Sequence, residues 1–253
     1  MILSTVEMHT GGEPTRIIVD GWPAFSGRTL LDKRREAKER FDHLRRGLML
    51  EPRGHDGMYG ALLVEPDHPE ADLAVLFMHN EGYSTMCGHA TIALVRWAVE
   101  SGRVTRSMPE TIVRLQCPCG LVVARVAADG TVHFESVPAF AYARDRIAPT
   151  ATWGPVAVDI AYGGAFYAIL PADSIGLDLK TSPMRSIVDA GEERLFESCT
   201  GAQFSGRLLR DAPAVGPRKA SIVEVGGRAY VTGESRFRFD ADDPLREGFS
   251  LTG

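Results

Sequence analysis

The chain is poor in cysteine and has no long apolar run. Its 253 residues include four cysteines, too few for a disulfide framework, which predicts a reducing, cytoplasmic compartment. No run approaches the roughly 18 apolar residues of a membrane-spanning helix. The first six residues (MILSTV) lack the basic and apolar regions of a signal peptide. We therefore expect a cytoplasmic protein with no membrane partner.

The chain also lacks a large excess of charge of either sign. The formal net charge is −5, with 24% charged and 44% hydrophobic residues, which is typical of an ordinary globular protein and argues against a nucleic-acid partner. The length fits one large domain or two modest ones. Cys117 and Cys119 are separated by one residue, unlike the Cys-x-x-Cys pairs of redox and zinc sites, so they predict strand residues and no metal site.

Cys87 stands where an irregular segment turns into a helix, in the string STMCGHATIAL. A helix N-terminus presents unpaired N–H groups and a partial positive charge. It should stabilise a thiolate and lower the cysteine pKa below its usual value of about 8.5. The amides of Gly88, His89 and Ala90 could then bind an anion. This pairing suits proton abstraction from an amino acid, and the alternative is a buried structural thiol.

The remaining patterns predict short strands, a charged amphipathic helix over residues 30–50 and an apolar helix from Cys87 to about residue 100, ended by Gly102. Paired glycines at Gly11 and Gly12 predict a turn. The pair Gly163 and Gly164 predicts backbone close to a ligand, or else a bulge or turn. The predicted strands span residues 2–8, 16–19, 58–64, 73–78, 111–116, 121–127, 132–137, 156–160, 220–225, 229–231 and 236–239.

Seven strings, in order and spread over nearly the whole chain, resemble motifs of the proline racemase family. They are MHTGGEP (residues 8–14), EPRGH (51–55), HNEGYS (79–84), MCGHA (86–90), CPCG (117–120), DIAYGGAFY (159–167) and DDPLREGF (242–249). Within the family, the chain is most similar to the trans-3-hydroxy-L-proline dehydratases of animals. The resemblance implies an α/β, diaminopimelate-epimerase-like fold of two halves, each a curved sheet around a central helix, with the active site between them.

The resemblance also implies a reaction and its residues. Cys87 would open the first central helix as the catalytic base, and Gly88 and His89 would bind the substrate carboxylate through their amides. The thiolate would remove the α-proton of trans-3-hydroxy-L-proline, and loss of the hydroxyl would give an enamine and then Δ1-pyrroline-2-carboxylate. No metal or organic cofactor is implied, since helix ends stabilise the developing charge. Weaker candidates for substrate contact, with turn or packing roles as the alternative, are His9, His55 and Glu81.

One family motif has no counterpart in this chain. Family members open the second central helix with Asp-Arg-Ser-Pro-(Cys or Thr)-Gly-(Thr or Ser)-Gly, and that motif carries the second catalytic residue. Here the chain passes directly from Gly191 to Glu192, where relatives have several tens of residues. A buried central helix contributes many kcal/mol, so its loss predicts an unstable or rearranged second half. Cys199 lies downstream of the lost motif and is expected to be a buried strand thiol, not a substitute.

These observations divide the chain into a first half, residues 1–150 with 235–253 packed back on it, and an incomplete second half, residues 151–234. They predict a hydroxyproline dehydratase and are compatible with a homodimer. The alternatives are an inactive truncated isoform or pseudoenzyme of the family, or a 4-hydroxyproline epimerase or proline racemase. An epimerase or racemase needs an acid on the opposite face of the substrate, which this chain does not show. A thiol-redox or metal-binding protein is a third class, and it rests only on Cys117 and Cys119.

Overall fold

A computed structural model describes residues 1–178, 181–182 and 204–250. None of the helices in these ranges is long and apolar enough to cross a membrane. The elements are β1 (Ile2–Thr10), β2 (Glu13–Asp20), α1 (Leu30–Arg40), α2 (Asp42–Met49), β3 (Tyr59–Val64), β4 (Leu73–His79), β5 (Gly82–Ser84), α3 (Gly88–Glu100), β6 (Glu110–Cys117), β7 (Gly120–Ala127), β8 (Val132–Glu135), β9 (Phe140–Thr150), β10 (Gly154–Tyr162), β11 (Phe166–Ile169), β12 (Ser205–Val215), β13 (Arg218–Gly227) and β14 (Ala229–Arg238), with a short 3₁₀ helix at Ala172–Ile175.

Within the described residues, eleven strands form one sheet that curves around α3. The strand order is β12-β13-β8-β7-β6-β4-β3-β2-β1-β14, with β5 beside β4. Helix α3 contacts strands from both arms of this sheet, including β1, β2 and β14 on one side and β7, β8 and β13 on the other. Its side chains Ile92, Leu94 and Val95 are fully buried, as expected of a helix that is apolar all round. The predicted curved sheet around the Cys87 helix is confirmed.

The outer face of the sheet is covered only in part. Helices α1 and α2 pack on the outer face of β4, which is buried on both faces and reads as a continuous apolar run (LAVLFM). Strands β6 and β7 alternate between buried and more exposed side chains, because one of their faces meets α3 and the other meets solvent.

The single helix predicted over residues 30–50 is wrong in one respect. The backbone leaves the helical region at Phe41, with φ −121° and ψ 12°, so two helices form. The Phe41 ring packs edge-on against Trp22 and Phe25, with ring centroids 6.4 and 5.7 Å away. Helix α1 starts with a capping box between Thr29 and Asp32, which satisfies free amides at the helix start.

Three strands form a second, small sheet in the order β11-β10-β9. Each of the α-helices in the described residues packs on the large sheet, and the small sheet leaves large apolar side chains exposed. The exposed large apolar side chains of the small sheet are Tyr142, Ile147, Phe166, Tyr167 and Ile169.

The C-terminal segment returns to the N-terminal strand. Strand β14 pairs antiparallel with β1 along its length, the amide of Phe239 donates to the Met1 carbonyl (2.8 Å), and the amide of Phe249 donates to the Glu51 carbonyl (2.9 Å). The two predicted strands near the C-terminus are one strand, while β5, β9, β11 and β12 were not predicted. The division of the chain at residue 150 stays a prediction, and Cys199 lies outside the described residues.

Candidate active site

Cys87 is the N-cap residue of α3, with extended backbone angles of φ −148° and ψ 120°. Its carbonyl accepts the first helical hydrogen bond from the Thr91 amide, at 3.0 Å. Its side chain makes no capping hydrogen bond with the first turn of α3. The predicted position of the thiol at the helix start is confirmed.

The protonation state of Cys87 differs from the sequence prediction. The side chain is buried, at 6% exposure, and burial raises its pKa to about 12. The nearby Ala90 amide, Tyr59 hydroxyl and His89 amide lower the pKa, but they do not offset the loss of water. The predicted depressed pKa is therefore wrong for this structure, and the resting form of Cys87 is the uncharged thiol.

His89 forms the nearest side-chain contact of the thiol. Its Nδ1 lies 3.3 Å from the Cys87 sulfur. Burial lowers the His89 pKa to about 4, although a hydrogen bond to the Pro14 carbonyl favours the charged form. The imidazole is therefore neutral at pH 7, and Cys87 with His89 is a neutral pair. The hydroxyl of Thr10 donates to the His89 carbonyl at 2.9 Å, so the β1–β2 hairpin positions the start of α3.

Tyr59, at the start of β3, reaches the sulfur from another side. Its ring meets the His89 ring edge-on with centroids 5.0 Å apart. Its hydroxyl hydrogen-bonds Ser84 Oγ and lies close enough to Cys87 for the two groups to influence each other's pKa. Burial raises the pKa of Tyr59 well above its usual value, so the hydroxyl keeps its proton. Sequence reasoning placed this residue in a strand, as observed, but missed its proximity to Cys87, because that proximity depends on α3 lying over β3.

The small sheet also contributes to the surroundings of Cys87. Burial raises the pKa of Tyr167 on β11, and interaction with Cys87 raises it further. The Thr85 hydroxyl donates to the Gly164 carbonyl at 2.6 Å. Gly164 has φ +104°, and a Cβ there would lie 2.6 Å from Met86 Cγ. A glycine is therefore required at this close approach between the small sheet and the segment before Cys87.

The weaker candidates make their contacts elsewhere. His9 stacks on Tyr230 with ring centroids 5.4 Å apart and accepts a hydrogen bond from the Gly12 amide (3.2 Å). His55 and Glu81 are exposed. These positions fit the alternative of turn and packing roles.

Cys117 and Cys119 lie at the β6–β7 turn and hydrogen-bond each other. Burial raises the pKa of Cys117, and the Cys117 hydrogen bond lowers the pKa of Cys119. The Cys119 amide donates to the Thr85 carbonyl at 3.2 Å, which ties this turn to the segment before Cys87. Among the residues with a described placement, no group of three or more His, Cys, Asp or Glu side chains could hold a metal ion.

Comparison with known sequences assigns the chain to a family. The sequence pattern of the family described as proline racemase matches residues 5–194 and 187–250. The chain belongs to the proline racemase family. It is 41% identical over 333 residues to a trans-L-3-hydroxyproline dehydratase of Xenopus tropicalis, with 99% of this chain and 95% of the relative covered. It is 40% identical over 336 residues to the trans-3-hydroxy-L-proline dehydratase of Homo sapiens, with the same coverage.

Solved structures of this family confirm the predicted two-half fold. A hydroxyproline epimerase from Agrobacterium vitis with bound trans-4-hydroxy-L-proline superposes with a TM-score of 0.89 at 24% identity, covering 99% of this chain and 95% of the other. A probable proline racemase from Agrobacterium radiobacter with bound carbonate gives a TM-score of 0.87 at 24% identity, covering 99% and 97%.

The comparisons also locate a gap inside this chain. The alignment with the Xenopus relative runs over 333 residues, whereas this chain has 253. The family pattern matches in two segments that meet at residues 187–194. The relatives therefore contain a stretch without a counterpart here, and it falls where the chain lacks the second family motif.

Proposed function

We propose that this protein is a trans-3-hydroxy-L-proline dehydratase, a hydro-lyase that forms Δ1-pyrroline-2-carboxylate and water. The observation that carries the proposal is a cysteine at the start of a helix enclosed by the sheet, in a chain 41% identical to a dehydratase over nearly its full length. Relatives at about 40% identity from several animals carry the same name. A cytoplasmic location and a homodimer stay predictions from the sequence.

Cys87 is the proposed base that removes the α-proton. Because its pKa is about 12 when the site is empty, the thiol must lose its proton as the substrate binds. The His89 imidazole lies 3.3 Å from the sulfur, and with a pKa of about 4 it would relay this proton and not retain it. The ammonium group of the bound substrate would favour the thiolate, since a nearby positive charge lowers a thiol pKa.

The substrate carboxylate is proposed to bind at the start of α3, beside Gly88 and His89. The helix N-terminus supplies partial positive charge there. Hydrogen bonds to the carboxylate stabilise the negative charge that develops when the α-proton leaves. A Cβ at Gly88 would meet only the Phe134 ring, at 3.6 Å. Gly88→Ala therefore tests close approach of the ligand to the backbone more than packing.

The proposal is tested by incubating the purified protein with trans-3-hydroxy-L-proline and reducing the products with borohydride, which converts the cyclic imine to proline. Wild type should yield proline, whereas Cys87→Ser should yield none. Cys119→Ser is the matched control, because it removes a thiol of the neighbouring turn, and it should retain activity.

A substrate panel separates the alternatives. Inversion of trans-4-hydroxy-L-proline or L-proline without imine formation would identify an epimerase or racemase. No reaction with any of these substrates, from a protein that unfolds cooperatively, would identify an inactive relative, as the missing second motif suggests. Either result contradicts the dehydratase proposal.

A further inference from the structure

The configuration of the proposed substrate places both departing groups on one face of its ring, an inference that rests on the proposed function. In trans-3-hydroxy-L-proline, the hydroxyl and the carboxylate lie on opposite faces. The α-hydrogen shares its carbon with the carboxylate and so points to the other face, which is the face of the hydroxyl. A thiolate that reaches the α-hydrogen therefore also faces the leaving hydroxyl.

The leaving hydroxyl requires a proton donor on that same face. Hydroxide is a poor leaving group, and its departure is accelerated when a general acid protonates it. The donor must belong to the wall that carries Cys87. Among the side chains of the large sheet and α3, three lie beside that thiol or its neighbours, and these are His89, Tyr59 and Ser84.

His89 and Ser84 are poorly suited to the task. Burial keeps the His89 imidazole neutral, with a pKa of about 4, and one ring N–H is engaged by the Pro14 carbonyl. The Ser84 hydroxyl donates to the Met86 carbonyl at 3.3 Å, and an alkyl hydroxyl is a weaker acid than a phenol. The Tyr59 hydroxyl, in contrast, hydrogen-bonds Ser84 Oγ, and its ring lies against the His89 ring that contacts the Cys87 sulfur.

We propose that Tyr59 is the general acid that protonates the departing hydroxyl. The Cys87 thiolate takes the α-proton, and the released electron pair forms the carbon–carbon double bond as the carbon–oxygen bond breaks. The Tyr59 hydroxyl gives its proton to the departing oxygen, which leaves as water. The Tyr59 oxygen then recovers a proton from the neighbouring Cys87 thiol. The cycle restores both residues and needs no co-reactant.

The packing of Tyr59 supports this role by fixing the direction of its hydroxyl. The ring stacks on His79 with centroids 5.9 Å apart and meets His89 edge-on. These contacts hold the ring on two sides, so the hydroxyl remains beside the sulfur. The base and the acid both come from the large sheet and α3. The missing second motif therefore removes neither group that this elimination requires.

The test separates proton abstraction from loss of water. In deuterium oxide, nuclear magnetic resonance follows deuterium entry at the α-carbon and formation of the pyrroline from the same sample. Tyr59→Phe should lower water loss by about 10²–10⁴-fold while α-deuterated substrate accumulates. Tyr83→Phe is the matched control. It removes a buried hydroxyl that has no hydrogen-bond partner, and it should behave as wild type.

A substrate with a better leaving group provides the second measurement. Fluoride departs without a proton, so Tyr59→Phe should convert trans-3-fluoro-L-proline at a rate close to that of wild type, which also shows that the variant is folded. Equal slowing of exchange and elimination, or equal slowing of the fluoro and hydroxy substrates, would refute the acid role and assign Tyr59 to positioning. Absence of both exchange and elimination in wild type would instead refute the proposed function, and this proposal with it.

Discussion

Cys87 should react with alkylating reagents at an appreciable rate only in strongly alkaline solution. The thiolate is the reacting form, and burial raises the pKa of Cys87 to about 12. At pH 8 the thiolate fraction would then be about 10⁻⁴, compared with about a quarter for a thiol of pKa about 8.5. Because the pKa lies above the whole accessible range, the alkylation rate should rise about tenfold per pH unit from pH 7 to 10.

The assay measures iodoacetamide modification of the peptide that contains Cys87, by mass spectrometry, as a function of pH. Limited access to the buried sulfur lowers the alkylation rate by the same factor at every pH. The test is therefore how steeply the logarithm of that rate rises with pH. Cys119 is the internal control. Its pKa is lowered by the hydrogen bond from Cys117, so it should react first at pH 7 and level off at lower pH. A plateau for Cys87 at or below pH 8 would refute the conclusion that burial dominates its ionisation.

Three further predictions concern stability. Burial lowers the His89 pKa from 6.5 to about 4. The free energy of unfolding should therefore be highest above pH 6.5 and fall by about 2–3 kcal/mol as the pH drops through 4. Denaturant unfolding at pH 7 and pH 4 measures this loss, which should be smaller in His89→Asn. Gly164→Ala should lower the free energy of unfolding by about 1–3 kcal/mol, because Gly164 has φ +104° and the added Cβ would contact Met86. Gly163→Ala should change it little, since no atom lies within 4 Å of the added Cβ. Thermal melts of the two variants measure the difference. Ile92→Ala should cost about 2–5 kcal/mol, since Ile92 is fully buried in α3, and an unchanged melting temperature would contradict the placement of α3 inside the sheet.

Strands β6 and β7, which were predicted correctly, each have one buried face. Alternation along β6 and β7 marks a face that packs on α3, and an all-apolar helix sequence marks α3 itself. The two long strands that were missed, β9 and β12, are largely exposed on both faces and include several charged residues. Their sequences carry no alternation because no helix or second layer in the described residues buries either face.

The local sequence also predicted the position of the Cys87 thiol, but not its protonation state. The string around Cys87 was enough to place it at a helix start, because capping is a local property. Its pKa depends on burial by β1, β3 and the small sheet, which no local pattern records. Tyr59 was missed for the same reason, since it is more than twenty residues from Cys87 in sequence and meets it only when α3 lies over β3.

The most direct test of the account is a single nuclear magnetic resonance experiment in deuterium oxide with trans-3-hydroxy-L-proline, wild type and Cys87→Ser. The account predicts that wild type removes the α-proton and forms Δ1-pyrroline-2-carboxylate, and that the serine variant does neither. Turnover by Cys87→Ser at the wild-type rate would contradict the role of the thiol. A wild-type protein that melts cooperatively and leaves the α-proton in place would contradict the proposed activity itself.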